Sequence, residues 1–440
     1  MNRQIVIVGA GIAGLTAGYY LKQAGFNPLV LEKAGRVGGR MITDVVDGFT
    51  INCGAQFLMD SYPILTSLVA RNGLGSNFVH TSQFSGTVKD GKIRKTLPGD
   101  PFSPLRSGLL SFPVWLRFLF RSLPLQSRTK SLPMNDYAAW AKDDDEDAEA
   151  WSNAYFGQEI TDYLVEPIFD GLFFQSPREA SKAFALSILS IFFYRKTKDL
   201  TTIKGGVAAL PECLASQLDI RLNTPVISMS AGNTGVELGT ENGLITADRV
   251  ILATTAPVVN VLYHPSSLIE RMLLETPYSS TVVIAIAMKD SFRLDPGIAN
   301  IYGFMIPQKE RDVICTIAND AANDIMHSAD RNLFVVFLSG EAGRRMIDWN
   351  EEDILVSVLK EMEKYFAGVS KDIRFTKIYR WKDAMTLSPV GRSRNVARYR
   401  ESLDPETRIY LAGDYAGMPF TEGAAETGKW AAETLIKNLS

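Results

Sequence analysis

The sequence predicts an α/β protein whose parallel sheet is assembled from both ends of the chain, with an α+β unit and a helical insertion between them. Three stretches carry that reading. Gln4–Val8 is a short apolar, β-branched run that ends on the turn Gly9-Ala10-Gly11-Ile12-Ala13-Gly14, after which Leu15–Ala24 reads as a helix closed by Gly25. Pro28–Leu31 is a second such run and ends on Glu32. Near the other end, Arg408–Ala412 is a third; it ends on Gly413-Asp414 and leads into a helix from Thr421 to about Asn438. Apolar runs without alternation suit strands buried on both faces, as in a parallel sheet covered by helices. Glycine just past a helix is a common stop.

The first strand, turn and helix form a Rossmann-like dinucleotide-binding unit. Gly9 permits the tight turn, Gly11 lets the backbone approach a pyrophosphate, and Gly14 lets the helix pack on the strand. Ile12 and Ala13 open the helix, whose N–H groups and dipole favour phosphate. Glu32 lies where a carboxylate accepts hydrogen bonds from ribose hydroxyls and repels a 2′-phosphate, which disfavours NADP. A glycine turn alone also occurs in nucleotide-free folds; the flanking strand, helix and acid give this one its meaning.

Composition narrows the classes. Hydrophobic residues make up 46% of the 440 and charged residues 22%, which excludes a disordered or fibrous chain. Lys and Arg total 46 against 49 Asp and Glu, so no excess of positive charge points to nucleic acid. The length predicts about two or three domains. Cys53, Cys213 and Cys315 form neither a disulfide framework nor a zinc pattern, so no metal is expected and a reduced, cytoplasmic setting is. The N-terminal apolar run is broken at once by glycines, as a strand rather than a signal peptide would be. No stretch of about 20 apolar residues is present to span a bilayer.

Between Pro101 and Met134 there is no acidic residue, while Arg106, Arg117, Arg121, Arg128 and Lys130 are basic. Ser111-Phe112-Pro113 reads as a helix start and Pro124 as its end. Arg117 and Arg121 share a face, among Trp115, Phe118, Leu119 and Phe120. Two readings stand together: peripheral contact with an anionic lipid surface, and packing at the rim of an apolar substrate cavity. The acidic run Asp143–Asp147 reads as a solvated loop or a helix start.

Directly after Glu32, Lys33-Ala34-Gly35-Arg36-Val37-Gly38-Gly39-Arg40 would bring the pair Gly38-Gly39 and two arginines to the same pyrophosphate. With the glycine turn and Glu32, this loop resembles the flavin-dependent amine oxidase, protoporphyrinogen oxidase and phytoene desaturase superfamily, closest to its protoporphyrinogen oxidase-like members. The similarity runs along the chain through Gly54-Ala55-Gln56-Phe57, Val165-Glu166-Pro167, Lys204-Gly205-Gly206, Asn223-Thr224-Pro225-Val226, Ala247–Thr254 and Trp381–Gly391. Asp170 and Thr386 depart from the glycine and proline common there.

The resemblance implies FAD, held non-covalently because no cysteine lies between Glu351 and Ser440. It places Gly9, Gly11, Ile12, Ala13, Gly14, Glu32, Lys33, Arg36, Gly38, Gly39, Arg40, Val226, Gly413, Asp414, Thr421, Glu422, Gly423 and Ala424 against the cofactor, with the last helix start stabilising negative charge on the reduced flavin. It implies a discontinuous FAD-binding domain (1–75, 200–262, 382–440), a substrate-binding domain (76–105, 263–381) and a helical, membrane-facing subdomain (106–199). The strand Thr281–Ala287 carries Val283 where amine oxidases carry lysine, and Phe420 stands where many of them carry tyrosine. Both departures favour an apolar or ring substrate giving hydride to flavin, with Gln56, Phe57, Phe169, Val283, Trp381, Met385 and Phe420 as candidate lining. His80, His264 and His327 fall outside every cofactor motif and read as surface or capping residues. A flavin amine oxidase or natural-product desaturase is the alternative. A non-catalytic escort-type protein of the same fold is a second, against which the intact Glu32, Arg36–Arg40 and Asp414 argue. Oxygen or a quinone is the expected electron acceptor; the sequence is silent on oligomeric state.

Overall fold

The structure is a computed structural model and describes residues 3–194, 200–232, 235–265, 267–322 and 332–439. Five strands form a wholly parallel sheet in the order Asp219–Arg221, Leu29–Leu31, Ile5–Val8, Arg249–Leu252, Ile409–Leu411. Val8 pairs with Leu31 and Leu252, and Leu252 with Leu411, so the strands finish level. Gly9, Glu32, Ala253 and Gly413 therefore emerge along one edge. The helix Ile12–Gln23 is buried over most of its length. It is that close to the helix Thr421–Leu439 because Gly428 has no side chain to meet the Ala13 carbonyl.

A second sheet has seven strands, in the order Ile373–Trp381, Thr281–Met288, Leu333–Leu338, Ile314–Asn319, Ile301–Met305, Phe84–Lys89, Lys92–Thr96. Only the pair Ile301–Met305 and Phe84–Lys89 runs parallel. Its strands come from 76–105 and 263–381. One face, with Val282, Ile284, Phe334 and Val336, packs on helices Gly340–Met346 and Glu351–Met362. The other, with Val283, Val335 and Phe337, faces the molecule's interior. Covered on both faces, Thr281–Met288 is uniformly apolar after its first residue and buried throughout. On that interior face lies the helix Glu166–Phe173, with Gly171 against Thr316; helices Phe112–Thr129 and Ala148–Tyr155 pack on Lys182–Tyr194.

Several expectations change. Pro124 does not end its helix, which continues to Thr129. The proline costs only the bond to the Phe120 carbonyl, and Phe120 is on the exposed side, where water can replace the donor. Met134–Ala148 is not one helix but a 3₁₀ segment, Tyr137–Asp143, that stops before the next helix. Trp151–Tyr163 breaks at Gly157, whose φ of +97° is one that residues with a side chain rarely adopt. A π-helical turn, Thr161–Val165, follows. The acidic run divides: Asp145 and Glu146 are exposed and Asp147 starts a helix, as expected, but Asp143 and Asp144 are buried. Asp143 pairs with Arg128, and Asp144 is buried and accepts from the Gly391 and Arg394 N–H groups. Asp147 caps the next helix through the Ala150 N–H.

Candidate functional site

A single cavity of about 1050 Å³ runs from the edge of the parallel sheet to the inner face of the seven-stranded sheet. Its first part is backbone. Gly9 has φ +104°, and a Cβ there would lie 2.9 Å from the Ala253 carbonyl oxygen, so the turn tolerates no side chain. A Cβ on Gly11 would meet nothing within 4 Å: it would project into open cavity. The loop after Glu32 closes on this turn, Gly38 N–H donating to the Ala10 carbonyl at 2.9 Å. The Glu32 carboxylate accepts from the Ala10 N–H at 2.7 Å and the Ala34 N–H at 2.9 Å, which fixes it at the cavity wall. Thr224, Pro225 and Val226 close this end.

The two arginines reach carboxylates of the chain itself. Arg36 pairs with Asp44 at 2.6 Å in a half-exposed position. Arg40 donates to both oxygens of Asp414, at 2.6 and 2.9 Å, and to the Ala384 carbonyl at 2.8 Å. Free neutralisation of a pyrophosphate by Arg36 and Arg40 is thus corrected. Both line the cavity, but most of their charge is answered within the chain. Burial alone would raise the pKa of Asp414; the Arg40 guanidinium, with the Tyr278 hydroxyl at 3.0 Å, outweighs it and holds the carboxyl below its ordinary value. Behind it, buried Arg392 donates to the carbonyls of Asp414 and Gly417 and fixes the turn before the last helix. Neither Arg392 nor Tyr278 carries a sequence signal that would single it out.

Of the remaining predicted cofactor residues, Ile12, Ala13, Lys33, Gly38, Gly39, Gly413, Thr421 and Ala424 line the cavity. Three do not. Gly14 packs its helix on the Gly9 turn, and Gly423 packs against Met418. Glu422 points away from the cavity: it accepts from the Ile64 and Leu65 N–H groups at 2.8 and 2.9 Å and so caps the helix Pro63–Arg71. Burial pushes its pKa up to about 7 against the opposing pull of those N–H groups.

Where the cavity meets the second sheet, Gln56, Phe57, Val283, Trp381, Met385 and Phe420 line it. Phe169 does not; it packs edge-on to Phe184 in the core, while Ile168, Gly171 and Leu172 of the same helix form the wall. Gln56 donates from Nε2 to the Asn52 and Gly54 carbonyls, at 2.8 and 2.9 Å, and its buried Oε1 has no partner among the described residues. Trp381 is held by a bond from Nε1 to the Cys53 carbonyl at 2.8 Å, and Phe420 stacks on Tyr62. Beyond lies a chamber walled by Phe118, Leu119, Tyr163, Met305 and Phe337 among others. Glu166 and Asp170, from the Val165-Glu166-Pro167 segment, both pair with buried Arg311 and tie this wall to the sheet. Burial raises the pKa of both acids, to about 7 for Glu166, and Arg311 counters it. His80 and His264 are exposed, away from the cavity; His327 lies outside the described residues.

A family model described as flavin containing amine oxidoreductase matches residues 12–436. The chain is similar to protoporphyrinogen oxidase 2, chloroplastic/mitochondrial, of Arabidopsis thaliana, with 24% identity over all of this chain and 94% of the relative. It is also similar to the 15-cis-phytoene desaturase of that plant, at 22% identity over 99% of this chain and 80% of the relative. Among solved structures it resembles cyclohexylamine oxidase from Brevibacterium oxydans, with a TM-score of 0.78 and 20% identity over 100% of both chains.

Proposed function

The chain belongs to the flavin containing amine oxidoreductase family and is an FAD-dependent oxidoreductase, and from that premise we propose that it dehydrogenates a C–C or C–N bond of an apolar or ring substrate, in the manner of the protoporphyrinogen oxidases. The observation that carries the reading is the cavity itself. A glycine-walled groove suited to a dinucleotide opens without interruption into a chamber of aromatic and aliphatic side chains.

The residues fit FAD. Space is kept at Gly11, the Ile12 and Ala13 amides face a phosphate position, Glu32 is set for ribose, and Thr224–Val226 flank the adenine end. When bound, FAD supplies the hydride acceptor. The chain holds the substrate against it, and the apolar walls keep water out. The start of the helix Thr421–Leu439 lines the cavity at Thr421 and Ala424, and the positive end of its dipole would favour negative charge on a group held there. Val283, uncharged and buried, offers no group to hold a water for amine chemistry. Anaerobic mixing with a porphyrinogen should bleach the flavin, and oxygen or a quinone should restore it. Hydrogen peroxide released with simple amines but not with porphyrinogens would overturn the porphyrinogen-type reading.

We also propose that the segment 101–134 rests on an anionic membrane surface. Phe102, Phe112, Phe120 and Leu123 are each about half exposed or more and stand among Arg117 and Arg121, while Phe118 and Leu119 of the same helix wall the chamber. No helix among the described residues is long and apolar enough to cross a membrane. Salt-sensitive binding to anionic vesicles should fall in Arg117→Glu/Arg121→Glu; wild-type protein that ignores such vesicles would end the idea.

A further inference from the structure

We infer that the chamber holds a neutral oxygen of the substrate, in a ketone, ester or ether group, at a hydroxyl-lined notch over Gly303. The inference rests on the proposed function and adds a substrate class to it: an apolar compound that carries an uncharged hydrogen-bond acceptor.

The notch starts from a strand irregularity. Between Ile301 and Gly303 the strand Ile301–Met305 shifts against its parallel neighbour, Phe84–Lys89. Ile301 and Phe304 belong to the core on the sheet's helix-covered face, while the two residues between them, Tyr302 and Gly303, both line the cavity. Such irregularities re-aim side chains and recur beside functional sites. Gly303 then supplies room. The helix Glu166–Phe173 closes on the sheet at Gly171, where a Cβ would lie 2.5 Å from the Thr316 hydroxyl oxygen; a Cβ on Gly303 would meet nothing within 4 Å. Gly303 pairs on one side with Ala318, also small, and on the other with Ser85. Thr87, two residues on from Ser85, shares its face of the strand, and both line the cavity.

The chemistry of the notch is uncharged donation. The hydroxyls of Tyr302, Ser85 and Thr87 make no hydrogen bond among the described residues. Tyr302 is only 4% exposed, and a buried hydroxyl without a partner is costly. Burial, with the charge of Asp320 second, raises its pKa well above the ordinary value, so at neutral pH it keeps a proton to donate. The cations on the cavity wall are Lys33, Arg36 and Arg40, all at the nucleotide end. Lys89, next on the face of Ser85 and Thr87, is held off the wall by Glu159 and the Leu109 carbonyl, each at 2.7 Å. A carboxylate in the notch would therefore be buried without a countercharge, whereas a neutral oxygen needs only the donors present.

The test uses the FAD-loaded protein and ligands of one outline, 2-acetylnaphthalene, 2-isopropenylnaphthalene and 2-naphthoate, titrated by calorimetry. Tyr302→Phe should weaken the ketone about three- to tenfold, as loss of one neutral hydrogen bond does, and leave the alkene as in wild type. Its Tm should not change, because the hydroxyl gives up no bond within the chain. Gly303→Ala, whose Cβ takes space from the notch without meeting a neighbour, should weaken ketone and alkene by a common factor. Naphthoate should bind wild type more weakly than the ketone. A ketone held equally by wild type and Tyr302→Phe, or not bound at all, would overturn the notch; naphthoate bound as tightly as the ketone would overturn its neutral character. Either result leaves the flavoenzyme reading standing. A folded wild-type protein that takes up no FAD would instead overturn the reading beneath it.

Discussion

The two ends of the cavity are made of different material. The nucleotide end is backbone: glycines, N–H groups and one carboxylate, nearly all within residues 9–40. The chamber is side chain, gathered from segments more than 200 residues apart, from Ser85 to Phe337. A backbone site admits one residue type at each critical point. A side-chain site admits any apolar residue of suitable volume. The first should thus fail abruptly on substitution and the second by degrees.

The largest effect is expected at the joint that closes the backbone end. Arg40→Met leaves the Asp414 carboxylate, 2% exposed, without its bidentate partner. Breaking such a pair costs about 3–5 kcal/mol. The purified variant should have a lowered Tm and little bound FAD. Arg40→Met/Asp414→Asn should regain part of the Tm, because no charge is stranded; a double variant no better than the single would show that the pair acts otherwise.

Next come two glycines two residues apart. Gly9→Ala should destabilise the fold, from positive φ and the Ala253 carbonyl together. Gly11→Ala should fold with an unchanged apo Tm and bind FAD at least tenfold more weakly, since its Cβ projects only into ligand space. Equal loss of apo stability in both would erase the contrast. Glu32→Ala follows. It removes the acceptor set for ribose, where hydrogen bonds to a charged group are worth about 1.5–3 kcal/mol, and equilibrium dialysis should show weaker FAD binding. Unchanged occupancy would remove Glu32 from the cofactor site.

Legibility in the sequence followed the same division. The parallel sheet and its glycine turn could be read because each feature is local and chemically restrictive: strand, turn, helix and acid lie within Gln4–Glu32. The partners of Arg36 and Arg40 could not. Asp44 is eight residues from Arg36, in an ordinary strand, and Asp414 is 374 residues from Arg40. Glu422 looked like part of a cofactor-facing helix start, but its direction depends on the helix Pro63–Arg71 packed beside it. In the chamber, Val283 was legible as a departure from a charged family position. Phe169 was not separable from its neighbours Ile168 and Gly171 by residue type, and only the rotation of one helix turns it inward to the core.

Glu422 gives the smallest effect, and it tests the seam between the two ends. Its carboxyl joins the last helix to the helix Pro63–Arg71 and to Asn135 of the helical insertion. Its pKa is pushed from 4.5 to about 7, with burial as the main cause. The unfolded chain therefore releases this proton near 4.5 while the folded protein keeps it to about 7. Between those values the folded state binds more protons, so stability falls as pH rises through that window and is level, for this group, above it. Glutamine keeps an acceptor for the N–H groups and cannot ionise. In Glu422→Gln the decline in Tm between pH 5 and pH 7 should be shallower than in wild type, with Glu166 supplying a slope of the same sign in both. Bound FAD should be unchanged, because the side chain does not reach the cavity wall. Parallel Tm profiles for the two proteins would mean that the seam is already ionised and that the N–H groups of Ile64 and Leu65 outweigh burial.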